Sequence, residues 1–356
     1  MRGLIRVGDR AIGDGAPAYV VAEMAWAHDG SRNRALTIVR GAAAAGADAV
    51  NFHVTSLPDY MVPRYGTGKG RVSAGHESTP IFEYLTSIAL GPADWEALFA
   101  ETRRLGLAVS AMCNDVASLA FVARFDPEIL LVHASALTDL GFVREVARRG
   151  RPVFLGIGGS HLGEVERAIE AVRGEGNDQI VLQYGFQSYP TRPEDVHLRF
   201  IATLRETFGL PVGFADHVDG ADPLAVWLPI VAVAMGASVI EKHVTHDRSL
   251  RGEDFESSLD PADLARMVAS LRASERAFGS ASWRPLSPAE LEYRQVVRKR
   301  AVATARIEAG EPVVAATVAF MRADAGLYPE EFERVAGRRA RAPIERLAPI
   351  TADLLE

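Results

Sequence analysis

Short apolar runs alternate with longer amphipathic stretches along most of the chain. Runs at 19–22, 49–54, 108–112, 129–133, 153–157, 180–184, 212–215 and 239–243 are apolar at most positions. Continuous rather than alternating hydrophobicity predicts strands buried on both faces, as in a parallel sheet. Stretches with helical periodicity lie between them, at 34–45, 94–105, 117–125, 137–149, 162–173, 194–208, 223–235 and 261–278, with a kink expected at Pro229. Eight strand–helix units in about 260 residues predict an α/β fold of the (β/α)8 TIM-barrel type rather than an open Rossmann sheet. The glycines at 156, 158 and 159 make no dinucleotide fingerprint, since His161 stands where the third glycine would be. Between strands two and three, 56–90 reads as a long loop rich in Gly, Pro, Ser and Thr. Such a loop is uncommon in a compact domain unless it covers a site.

The pattern stops near 280–287, where Trp283, Pro285 and Pro288 mark a break. We therefore expect a barrel domain over 1–282, a linker over 283–298 and a second domain of short strands over 299–356. About 60 residues make a weak core, so this domain is expected to lean on a barrel, its own or a partner's.

The stretch 223–240 carries no charge, but Pro229, Gly236 and Ser238 interrupt it and Asp222 and Glu241 close it. It reads as a buried helix followed by a buried strand, not a membrane span. The N-terminus has no apolar core of signal-peptide type. A net charge of −7 without a long basic run argues against nucleic acid as a partner. The single cysteine, Cys113, excludes an internal disulfide framework and a Cys-rich zinc site, and suits a reducing, cytoplasmic setting. Lysine occurs only at 69, 242 and 299, so a lysine in this chain stands out.

In a barrel, chemistry gathers at the C-terminal strand ends. Those ends offer Glu23, Asn51 with His53, Cys113 with Asn114, His133 with Ser135, 158–160, 184–189, Asp216 with His217, and Lys242 with His243. His217 and His243, on the seventh and eighth strands, could share one metal ion and leave positions open for water and substrate. Glu23 or Asp216 could be a third ligand or a support behind them. Ser160 follows two glycines and precedes a helix, which suits a helix N-cap and equally an anion-facing turn. Lys242 could form a Schiff base if desolvated, or pair with Glu241 or Glu23. The residues alone point to a barrel enzyme for a small polar substrate, with a divalent metal as an option.

Several motifs, in order, resemble the N-acetylneuraminate (sialic acid) synthase family over nearly the whole chain. VAEMAWAHDGS at 21–31 resembles the family's opening I-A-E-I-G-x-N-H-x-G, and AAGADAVNF at 44–52 its AGADAVKF. SYPTRPED at 188–195 is similar to NYPTPYED, GLPVGFADH at 209–217 to GLPVGYSDH, and VIEKHVTHDR at 239–248 to VIEKHFTLDR. The tail at 320–335 resembles the antifreeze-like (SAF, β-clip) domain that closes these enzymes. The resemblance implies condensation of phosphoenolpyruvate (PEP) with an N-acyl mannosamine or related amino sugar, giving a nonulosonic acid and phosphate. It implies a divalent metal, usually Mn²⁺, with Mg²⁺ or Co²⁺ as alternatives, on His217 and His243. It carries the family's strand-1 glutamate onto Glu23, its YPT tyrosine onto Tyr189 and its aspartate after strand eight onto Asp254. It implies a domain-swapped homodimer in which Arg322 reaches the partner's site.

The departures cluster. Asn51 stands for the strand-2 lysine and His53 for the glutamine beyond it; Ala111 for the strand-3 threonine; Val132 for the strand-4 lysine; Ala215 for the strand-7 serine. The asparagine before the YPT tyrosine falls on Gln187 or Ser188, and an acidic residue of the sugar side falls near Leu137. By resemblance, most of these positions hold the phosphate and carboxylate of PEP. Each charge-assisted bond lost removes roughly 1.5–3 kcal/mol, so PEP binding is expected to be weak. Ser135 and Ser160 remain as anion contacts, and Lys242 is kept as a substrate-binding candidate. Three functions follow: a family enzyme joining a three-carbon donor to a sugar through an altered donor site, a PEP-independent metal-dependent aldolase or lyase, or a non-catalytic sugar-binding relative.

Overall fold

The computed structural model describes residues 4–64, 79–186, 188–279 and 283–356. The first described elements form an antiparallel hairpin, β1 (Ile5–Val7) with β2 (Arg10–Ile12). Eight parallel strands follow: β3 (Tyr19–Glu23), β4 (Ala49–Val54), β5 (Ala108–Cys113), β6 (Ile129–Val132), β7 (Val153–Gly156), β8 (Ile180–Tyr184), β9 (Val212–Asp216) and β10 (Val239–His243). They pair in sequence order, and β10 closes the barrel against β3. The expected TIM barrel is therefore the fold of this unit.

Strand residues alternate between the barrel interior and the surrounding helices. Val20, Val50, Val109, Leu130, Leu155, Leu182, Phe214 and Ile240 belong to the large core shared with the helices. Tyr19, Val21, Ala49, Ile129, Phe154, Val181 and Val239 fill the interior, together with Ile5, Val7 and Ile12 of the hairpin. These interior residues sit early in their strands, so the N-terminal end of the barrel is packed with apolar side chains. Polar chemistry is left to the opposite end.

The helices are α1 (Arg32–Ala45), α2 (Leu57–Tyr60), α3 (Ile81–Ser87), α4 (Pro92–Arg104), α5 (Val116–Ala123), α6 (Leu140–Ala147), α7 (Leu162–Gly174), α8 (Phe200–Phe208), α9 (Leu224–Ala234) and α10 (Pro261–Phe278). The first of them shows how local sequence sets the ends. Ser31 caps α1 by accepting the Arg34 N–H at 3.3 Å, and Gly46 ends it at φ 81°, where a side chain would be strained. Pro229 sits inside α9, which continues through it.

Three expectations change. The stretch 56–90, read as loop, contains α2 and α3, whose Leu57, Tyr84, Leu85 and Ile88 form a small buried cluster; its residues 65–78 lie outside the described set. The helix read over 194–208 starts only at Phe200, because His197 at φ 47° separates it from a 3₁₀ turn at Pro193–Asp195. Ser160 does not cap α7. His161 holds that position, and its N–H donates to Glu164 Oε2 at 2.8 Å.

The chain forms two compact units, Met1–Gly279 and Ser280–Glu356. In the second unit, Ser287 caps α11 (Pro288–Val297), so Pro288, which read as punctuation, opens a helix here. Then β11 (Lys299–Ala303) pairs antiparallel with β12 (Val318–Arg322), and α12 (Pro329–Phe332) follows. Ala301, Ile307, Val313, Phe332, Ile344 and Ile350 form this unit's own apolar core. No described helix is long and apolar enough to cross a membrane.

Candidate active site

The interior positions at the C-terminal ends are mostly polar, with Met112, Leu131 and Ala215 among them. Glu23 ends β3 and lies in register with His243 of β10 on one side and Asn51 of β4 on the other. Glu23, His53, His133, Gln183, His217, Glu241 and His243 line a deep cavity of about 30 Å³. A wider cavity of about 290 Å³ shares His53, His133, Tyr189 and His243 with it and opens between the strand ends and the following loops. Trp26, Met61, Ile81 and Leu85 give the wider cavity an apolar wall, and Asn114, Glu253 and Asp254 a polar one.

Glu23 is held from several sides. Its Oε1 accepts the Ala25 N–H at 2.6 Å, its Oε2 accepts the Asn51 amide, and His53 Nε2 lies 3.5 Å from Oε1. Asn51 in turn accepts the Ser110 hydroxyl at 2.7 Å through Oδ1. Burial alone would raise the Glu23 pKa, but His53, His243 and the Asn51 bond outweigh it and hold the carboxyl below its usual range. Burial works against the His53 charge as well, and the facing Glu23 overcomes it, so His53 is raised. The two form a buried carboxylate–imidazolium pair.

His217 and His243 are neighbours, with ring centroids 5.1 Å apart. The Tyr189 ring packs at 4.5 Å from His217 and 5.7 Å from His243. His217 Nδ1 lies 2.9 Å from the Phe186 carbonyl, which can only accept; the proton therefore sits on Nδ1, and Nε2 keeps its lone pair. Burial lowers His217 to about 4, and burial followed by the His217 charge holds His243 well below the usual imidazole range. Both rings are neutral at physiological pH, the form that binds a metal. The donor set thus suits a cation held by two imidazoles with positions left open. Among the described residues no group of three or more His, Cys, Asp or Glu side chains is placed to hold a metal ion.

Asp254 Oδ2 lies 4.0 Å from His243 Nδ1, and burial followed by the Glu253 charge raises the Asp254 pKa. His133 Nδ1 accepts the Ser135 N–H at 3.2 Å, which puts the ring proton on Nε2. Ser135 Oγ lies 2.8 Å from that Nδ1, and burial lowers His133 to about 4.

Other expected site residues lie elsewhere. Lys242 points out of the barrel: its Nζ is 2.9 Å from Asp216 Oδ2, and both side chains are fully buried behind the strands. Its partner is neither Glu241 nor Glu23, and Asp216 is no support for the histidines. Ala111 and Val132 also face the helices, because the interior positions of β5 and its neighbour are Ser110, Met112, Leu131 and His133. Contacts inferred for Ala111 and Val132 therefore do not exist at the cavity. Ala215 does line it. Ser135 and Ser160 line neither cavity, and Leu137 is packed in the helix-side core. Gln187 lies outside the described residues. Arg322 is exposed at the end of β12 in the second unit. Sequence reasoning offered His133 at a strand end but passed over Gln183 and Glu241 as site residues, although two-residue alternation from Val181 and Val239 places both of them inside.

The sequence profile of the NeuB family matches residues 38–282, and that of the SAF domain residues 298–356. This chain belongs to the NeuB family. The N,N'-diacetyllegionaminic acid synthase of Legionella pneumophila is 29% identical over 336 residues, covering 93% of each chain. The pseudaminic acid synthase of Campylobacter jejuni strain 81-176 is 30% identical over 329 residues, covering 92% of this chain and 93% of its own. The crystal structure of N-acetylneuraminic acid synthetase from Leptospira borgpetersenii, in complex with citrate, superposes with a TM-score of 0.72. It is 27% identical and covers 83% of this chain and 97% of its own. Within this NeuB-family barrel, Glu23, Tyr189, His217, His243 and Asp254 come together around the two cavities, while Lys242 does not.

Proposed function

We propose that this NeuB-family chain joins a three-carbon acid to the aldehyde of an amino sugar, making a sugar acid of the nonulosonic type. The observation that carries the reading is the pair of neutral, adjacent imidazoles of His217 and His243 beside the Glu23 carboxylate, at the junction of a small polar cavity and a larger two-sided one. A divalent metal, Mn²⁺ or Mg²⁺ or Co²⁺ in its place, bound through the two histidines would polarise the aldehyde oxygen. His217 is oriented for that by the Phe186 carbonyl. Tyr189 packs on both rings and limits their freedom. Glu253 and Asp254 suit sugar hydroxyls, and the wall of Trp26, Met61, Ile81 and Leu85 suits an N-acyl group or a deoxy carbon.

We further propose a domain-swapped homodimer in which Arg322 is presented to the partner's barrel. The arginine is exposed, and the family resemblance supports the arrangement. A fixed cation there would meet a cavity lining that contains Glu23, Glu241, Glu253 and Asp254 and neither Lys nor Arg.

The test is to incubate the full chain and Mn²⁺ with N-acyl mannosamines and their 6-deoxy diacetamido analogues, with PEP and pyruvate in separate reactions. A mass-spectrometric product equal to sugar plus three-carbon acid is expected. No adduct from any pair, with Mn²⁺ shown to bind, would favour a sugar-binding role instead.

A further inference from the structure

One carboxylate of the wider cavity is fixed at both its backbone and its side chain. Glu253 lies in the loop after β10 and lines that cavity. Its N–H donates to Asp29 Oδ1 at 3.0 Å, and Arg34 holds the other oxygen of Asp29 at 2.9 Å. Asp29 also fills the space that a side chain at Gly252 would need. The residues around this point, Arg251 and Asp254, stand at φ 49° and φ 61°. Non-glycine residues enter that left-handed region at a cost, which the surrounding contacts must outweigh.

The side chain is gripped by α3. The Tyr84 hydroxyl hydrogen-bonds the Glu253 carboxylate. Burial, followed by the charge of that carboxylate, pushes the phenol far above its usual pKa, so it keeps its proton and is the donor. Ile81 and Leu85 of α3 line the wider cavity. Tyr84, and Ile88 just past the end of α3, instead line an outer cavity of about 450 Å³ with Asp29, Arg34 and Arg251. The short helix is thus a wall between two cavities, and the bond from Tyr84 to Glu253 crosses it. A carboxylate accepts hydrogen bonds and cannot donate them. Aimed into the wider cavity, it favours ligand groups that bring an O–H or N–H and disfavours those that bring only acceptors or negative charge.

We propose that Glu253 selects the acceptor sugar through one of its hydroxyls, and that Tyr84 is the positioning residue that aims this carboxylate from behind the α3 wall. The inference rests on the sugar-acceptor reading above and names the residues that choose the sugar. A site built around a polar contact rejects the analogue that lacks the matching group. Tyr84 is outside the lining of the wider cavity, so its influence on the sugar passes through Glu253. The metal-binding pair of His217 and His243 then serves as an internal control, because losing the phenol hydroxyl should leave metal affinity alone.

The Mn²⁺-loaded full chain is titrated calorimetrically with N-acetylmannosamine, its 3-, 4- and 6-deoxy forms and the 2,4-diacetamido 6-deoxy analogue, and adduct formation is followed in parallel. Tyr84→Phe removes only the hydroxyl and keeps the ring in its apolar cluster with Leu57, Leu85 and Ile88. It is expected to raise Kd and KM for the sugar about tenfold, with kcat and Mn²⁺ affinity within about twofold of the parent. Glu253→Gln is expected to weaken the sugar at least as much. The double variant should be no weaker than Glu253→Gln, since the tyrosine acts through the carboxylate. One deoxy form should bind the parent and Glu253→Gln alike, which identifies the hydroxyl. Unchanged sugar affinity in either single variant, while the parent forms adduct, would overturn the selection role and leave C–C bond formation standing. Additive losses in the double variant, or an equal fall in sugar affinity, Mn²⁺ affinity and denaturation midpoint in Tyr84→Phe, would overturn the positioning role. A parent that binds none of these sugars and forms no adduct would overturn the proposed function and this inference with it.

Discussion

The Lys242 ammonium lies 2.9 Å from the Asp216 carboxylate, and neither side chain is exposed. Next to each in sequence is a residue of the candidate site, His243 and His217. The pair joins two adjacent strands on the helix side, directly behind the two imidazoles. A lysine that looks catalytic in the sequence is thus part of the wall on which the site is mounted.

Removing one partner of this pair should be costly. Lys242→Met leaves a buried carboxylate without its counter-ion, and we expect a loss of about 3–5 kcal/mol in chemical denaturation. The double variant Lys242→Met/Asp216→Leu should recover most of it. A single variant as stable as the parent but unable to bind substrate would return Lys242 to the substrate-contact role.

Asn51 bridges Glu23 and Ser110 inside the barrel. Asn51→Ala strips both of a partner. A destabilisation of about 1–3 kcal/mol is expected for the buried groups left unsatisfied, read as a fall in the denaturation midpoint at unchanged slope. No change would mean that water replaces the amide without penalty.

His217→Ala and His243→Ala should each weaken Mn²⁺ by about tenfold or more, and the double variant should abolish stoichiometric binding. Electron paramagnetic resonance of free Mn²⁺ gives the count directly. Full occupancy in the double variant would place the metal elsewhere or nowhere.

Mixing Arg322→Ala chains with His243→Ala chains tests the swapped dimer. If Arg322 acts across the dimer, one site per mixed dimer has both its own histidines and its partner's arginine, and activity returns. A mixture as inactive as its parents, with subunit exchange verified by mass, would remove the arginine from the site.

The barrel was readable because its strands are apolar on both faces; the run at 180–182, Ile-Val-Leu, needs no periodicity to be seen. The hairpin of β1 and β2 was not, because three-residue strands broken by Gly8 and Asp9 carry no pattern. α2 and α3 hid in a stretch whose composition is that of a loop. At the site, motif matching found Glu23, His217 and His243 but ignored which way each position faces. Ala111 and Val132 were therefore given contacts that alternation along their strands denies them, and Gln183 was missed although it lies two residues from the interior Val181. Hydrogen-bond direction, which assigns the His217 and His133 protons, depends on backbone groups that no motif encodes.

The barrel closes where its last strand meets its first, and Glu23 faces His243 across that seam. The acid and one of the two histidines therefore come from opposite ends of the barrel sequence. A nascent chain that has made every strand but the last can bury much of its apolar surface, yet it holds only half of the imidazole pair and a carboxylate with an open flank. Ion binding through both histidines would then be favoured only after the final strand has docked, and the ion would hold that seam shut. Assembly of the site and completion of the fold would become one event, and a truncated or slipped chain would be inert rather than partly active.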